Sequence, residues 1–231
     1  MPMIRNERTG TDELLRDGRF HYAALLADPD TAHLAPPVKT KLDSLTQAHS
    51  TTSAAELVRI EKQALAVRAE YVHDQKHSVV ELLVLGVVKR KRELAPYRKV
   101  YPDGLTALTD LSGAEQERAV GNMVDELAIH HPEIHLKYSK DLLKLAADAT
   151  AAEKAHTDAE AKVNRTFAQE QSARSELSLL LRKNEGALIS LFPHDHTLTR
   201  LYYRPRPKKR AAAKAPLSPR TPAPTPQPAQ P

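Results

Sequence analysis

The 231-residue chain has no cysteine and no tryptophan. The first absence excludes disulfides, thiolate metal centres and cysteine nucleophiles, and removes any pointer to an oxidising compartment. Aromatic residues make up only 4% of the chain, so the core must be aliphatic and thin. A thin core suits two or three packed helices better than a thick globule. Seven glycines against an Ala- and Leu-rich background favour helix over turn-rich strand structure. The most apolar run, Val79 to Val88, is too short for a membrane span of about 20 residues. Met1 to Gly10 carries charges and no apolar run, so no secretory signal is read there, and a cytoplasmic location is the expectation.

Acidic residues are missing from the last part of the chain. From Arg200 onward there are eight Lys and Arg and no Asp or Glu. The overall charge of +5 therefore divides into +8 on this stretch and −3 on everything before it, and the basic isoelectric point belongs to the tail.

Two long Ala/Leu-rich stretches dominate what is present, Ser53 to Arg92 and Lys137 to Ser190. Each runs into an aromatic-Pro turn, Tyr101-Pro102-Asp103-Gly104 after the first and Phe192-Pro193-His194-Asp195 after the second. A short amphipathic helix precedes each. Thr11 to Ala27 has its apolar stripe at Leu15, Tyr22 and Leu25/Leu26, with Gly18 as a weak middle. Ala114 to His130 has Val120, Met123/Val124 and Leu127 on one face, opened by a capping-box spacing at Ser112 to Glu115. Pro132 fits the first turn of the second long helix. The first long helix is expected to run from Val38 to Ala95, about 85 Å, because no Gly or Pro interrupts His49 to Ser53. Pro96 ends it.

Within that helix Val58, Leu65, Val72, Val79 and Gly86 recur every seventh residue, with Leu57, Ala64, Tyr71 and Leu85 beside them. This reads as the core-facing seam of an antiparallel coiled coil or slim bundle. Leu82 to Val88 is apolar all round and predicts the most buried end, and Lys89-Arg90-Lys91-Arg92 follows as cations suited to a helix C-terminus. In the second long helix the seam runs through Leu142, Leu145, Ala149, Ala152, His156, Ala159, Val163, Ala173, Leu177, Leu180 and Leu188. Asp158 with Lys162, and Glu170 with Arg174, have the spacing of helical ion pairs.

The expected architecture is all-α. Two long antiparallel helices and two short ones form an elongated bundle over residues 11–203, whose halves 11–111 and 112–203 read as a degenerate repeat, between a flexible stretch 1–10 and a disordered tail 204–231. On the long helices and the aromatic-Pro turns, the region Thr31 to Tyr203 resembles a loose class of Ala-rich bacterial proteins built of long helices punctuated by aromatic-Pro-Asp/Gly turns. No established activity attaches to that class. The Lys/Ala/Pro tail is similar to linker-histone-like basic tails, which implies non-specific contact with phosphate.

Few residues suggest chemistry. Glu70-x-x-His73 and Glu153-x-x-His156 echo the paired units of di-iron bundles. However, the seam at Leu65, Tyr71/Val72 and Val79 places Glu70 and His73 on flanks facing water. His73 and His77, four apart, are two exposed ligands without a third. His130, His131 and His135 read as solvated residues at a helix junction. No catalytic, cofactor-binding or metal-ligating residue is assigned, and no cofactor is expected. The function expected is a non-enzymatic structural or protein-interaction role, with self-association or a protein partner through the helical seam and no membrane contact. The alternative is an accessory protein that binds nucleic acid through Arg204, Arg206, Lys208, Lys209, Arg210 and Lys214 of the tail. A metal-binding bundle ranks a distant third.

Overall fold

The computed structural model describes residues 10–205. They form helices and turns only: α1 (Thr11–Leu26), a 3-10 turn (Ala32–Leu34), α2 (Ala35–Val87), α3 (Ala95–Val100), α4 (Leu105–Thr109), α5 (Gly113–His130), α6 (Pro132–Leu191) and α7 (His196–Leu201). The 53 residues of α2 and the 60 of α6 give rods of about 80 and 90 Å. They run antiparallel. Lys41 near the start of α2 reaches Glu176 near the end of α6 at 2.7 Å, and Lys76 near its end reaches Asp141 near the start of α6 at 2.8 Å.

α1 opens after Gly10 with Asp12 and Glu13 in its first turn, where carboxylates complement the free amides. Thr11 does not cap; its hydroxyl donates to Glu170. Gly18 lies where α1 packs tightly on Leu42 of α2 and Leu177 of α6. A Cβ there would sit 2.7 Å from Leu42 Cδ2 and 3.3 Å from Leu177 Cδ2. Thr31 ends the first turn by donating to the carbonyl of Leu25 at 3.0 Å. α2 then begins three residues earlier than the apolar pattern suggests, because Pro36 and Pro37 fall in the first turn, where missing amides cost nothing.

The helix is continuous through His49 to Ser53. The hydroxyls of Thr46, Thr51 and Thr52 donate to carbonyls one turn back, at Leu42, Gln47 and Ala48, so they are satisfied without breaking the helix. α2 stops at Val87, well short of Pro96. Lys89 and Arg90 take φ of 53° and 62°, and the Arg90 amide donates to Leu85 at 2.7 Å, closing a left-handed helix stop. The four-cation run is thus a turn, and Pro96 starts α3 instead of ending α2. The Tyr97 to Leu111 connector holds two short helices. Ser112 makes no capping bond to α5. After Pro193, α7 is capped by Asp195, which accepts from the amides of Thr197 and Leu198 at 3.0 and 2.8 Å.

Large apolar side chains gather at the two ends. One cluster joins the end of α2, α3 to α5 and the start of α6 through residues such as Val80, Val84, Tyr101, Leu127 and Leu142. The other joins α1, the start of α2, the end of α6 and Tyr202 through Leu25, Val38, Leu45, Leu177 and Leu188. Among the described residues, the buried apolar side chains belonging to neither cluster are Ala55, Ala149 and Ala159. Between its ends the molecule is therefore a waist, where α2 and α6 meet across alanines. Side chains this small let two helices approach closely but remove little surface from water.

Candidate functional site

The waist reverses the expected seam of α2. Of the seven-residue series, Val58 is 39% exposed, Leu65 58% and Val79 44%, while Leu57 and Tyr71 beside it are more than half exposed. Leu82, Leu83 and Val87 also face outward. The buried face carries Ala55, His73, His77, Val80, Glu81 and Val84 instead. The packed face of mid-α2 is thus built of alanine and histidine, and its larger apolar side chains lie on the exposed face. The smaller side chains pack on α6, and the larger ones form an outward stripe. On α6 the expected seam is correct, with Leu142, Ala149, Ala159, Leu177 and Leu188 buried.

His73 and His77 do not face water; both are fully buried. Their Nε2 atoms lie 2.9 Å apart, a hydrogen bond that requires one ring to donate and the other to accept. His73 Nδ1 is 3.3 Å from Asp74 Oδ1 and 3.4 Å from the Gln116 amide of α5. If His73 donates from Nδ1 to Asp74 it accepts at Nε2 from His77, and the Gln116 Nε2 contact is then not a hydrogen bond. His77 Nδ1 then has no partner. Burial, and next the neighbouring His73, pull the His77 pKa down to about 3, so His77 is neutral at neutral pH.

Glu70, Glu153 and His156 do share a crevice of about 230 Å³ with Gln63 and Gln116. Even so, no three or more His, Asp or Glu among the described residues are grouped to hold a metal ion. Other polar side chains hold the ends together. Glu81, 7% exposed, accepts from Tyr97 Oη at 2.6 Å and from Arg92 at 3.1 Å. Burial and this bond raise the Tyr97 pKa to about 12. Glu170 is buried against Thr11 and His49. Burial pushes its pKa up, but the hydrogen bonds it accepts, that from Thr11 first, outweigh this and lower it. At the far end His21 is held by the carbonyl of Tyr202 at 2.9 Å and by Asn184 at 3.2 Å. His131 is buried rather than solvated. Periodicity alone would not find these residues, since it marks His and Glu as surface.

Of the tail cations, Arg204 lies at the edge of the described residues and pairs with Asp17 at 3.6 Å. Arg206, Lys208, Lys209, Arg210 and Lys214 lie outside them. No helix among the described residues is long and apolar enough to cross a membrane. In comparisons with protein-family models, with curated proteins and with solved structures, no match to this chain is found.

Proposed function

We propose that the chain is a structural, protein-interaction rod. Two packed ends are held apart by the α2/α6 waist, and the outward stripe of α2 is the docking face. The observation that carries this is the exposure of Leu57, Leu65 and Tyr71, 65%, 58% and 56%, along one face of α2 where it packs on small residues of α6. Scattered exposed apolar residues are ordinary, but a contiguous stripe marks a surface that is covered in use. The stripe's seven-residue spacing suits a helical partner in coiled-coil fashion. Capture with the tagged full chain tests the reading: Leu57→Glu with Leu65→Glu should abolish recovery of protein partners, second copies included, while helicity is unchanged. Recovery equal to that of the unaltered chain would refute it.

A second reading rests on the tail, whose cations are unopposed by any acid from Arg200 onward. Such a segment attracts phosphate in a salt-dependent way. Removal of residues 204–231 should abolish any shift of DNA or RNA at low salt. If the full chain produces no shift, the reading fails.

A further inference from the structure

We infer that the occupant of the α2 stripe is a second copy of this chain, lying antiparallel, with the two-fold axis between Ala64 and Leu65. This rests on the interaction reading above and narrows it to one partner and one register.

The argument is charge complementarity within the stripe. Its apolar residues from Leu57 to Val72 are interrupted by Glu61 and Arg68, both exposed and pointing the same way one heptad apart. The Arg68 guanidinium lies 6.0 Å over the Tyr71 ring, which holds its charge beside the stripe. A homodimer contact is self-complementary, so each residue meets a partner reflected through the axis. Registers one heptad apart can be compared directly. An axis at Glu61 sets Glu61 against its own copy, and an axis at Arg68 does the same for Arg68. An axis between Tyr71 and Val72 places Glu61 against Leu82. The axis between Ala64 and Leu65 pairs Glu61 with Arg68 twice. In the same step it sets Leu57 against Val72, Val58 against Tyr71, and Ala64 against Leu65. Of these four arrangements, only this one opposes unlike charges and apolar side chains together. The stripe also covers the stretch where the fully buried apolar residues of α6 behind α2 are alanines. Pairing there would turn a two-helix waist into a four-helix one, with α2 of each copy at the centre.

The full-length chain, studied by sedimentation over about 1–100 μM, should be a dimer in equilibrium with monomer. Glu61→Arg places arginine against arginine and should weaken dimerisation by about tenfold or more, as should Arg68→Glu. The double swap E61R/R68E restores opposite charges and should return affinity to within about threefold of the original. Because the chain has no cysteine, an equal mixture of E61C and R68C chains can report the register. Oxidation should join unlike chains in preference to like ones. All these sites are exposed, so circular dichroism should be unchanged. A chain that stays monomeric at about 100 μM overturns the inference, as does a double swap as weak as either single one. If the pure chain is monomeric while capture of another protein still depends on Leu57 and Leu65, self-pairing falls and the interaction reading stands. If that capture is absent as well, both fall.

Discussion

The ends and the waist of this molecule are built from the same two helices and stabilised in different ways. At the ends, Leu45, Leu127, Leu142 and Leu177 are fully buried and a third helix closes the core. In the waist the buried apolar residues are alanines, and the larger apolar side chains face out. A leucine removed from an end leaves a cavity that neighbours on three helices cannot fill; an alanine trimmed in the waist leaves almost none. The ends give the molecule its fold, and the waist gives it length and an uncovered surface.

Perturbing each region sharpens that contrast. Leu45→Ala or Leu127→Ala should cost about 3 kcal/mol or more in urea unfolding, whereas Ala159→Gly should cost only about 1 kcal/mol, chiefly as lost helix propensity. Equal costs would break the distinction. Acid should loosen the border between the α5 end and the waist. The folded-state pKa of His77 is about 3 against 6.5 in the unfolded chain. Between those values the unfolded state binds more protons, so stability is fully present above pH 6.5 and falls as pH drops towards 3. The slope approaches about 1.4 kcal/mol per pH unit. Burial lowers His21 and His131 as well, in the same sense. Denaturation midpoints between pH 7.5 and 5 should show this fall, and His77→Gln should flatten it. Gly18→Ala should cost about 1–2 kcal/mol, since Leu42 must move away from the new methyl group. At the smallest scale, Lys89→Gly should stabilise by up to about 1 kcal/mol by relieving a left-handed non-glycine residue. A loss of stability there would mean that the Lys89 side chain matters more than its backbone angle.

The helical class, the antiparallel pairing of two long rods and the seam of α6 were legible in the sequence. They depend on propensity and on a repeat of large apolar residues with little competition. The seam of α2 was not, for a physical reason. Periodicity follows the largest apolar side chains, and in mid-α2 most of these lie on the face that the described residues leave exposed. The packed face uses alanine and a histidine pair, which composition marks as indifferent or polar. Gly18 reads as a weak point for the same reason, because helix propensity is local and the need for a bare backbone comes from Leu42 and Leu177, both distant in sequence. Pro96 reads as the stop of α2, but the chain turns earlier through a left-handed pair, Lys89 and Arg90, that no Gly announces.

The measurement that bears most directly on the contrast is amide hydrogen exchange of the full-length chain at several protein concentrations. Peptides covering residues 57–72 should exchange more slowly as concentration rises from about 1 to 100 μM, while peptides from the two end clusters remain equally protected throughout. Exchange in 57–72 that is independent of concentration, or protection in the waist already equal to that of the ends in dilute solution, would contradict the account.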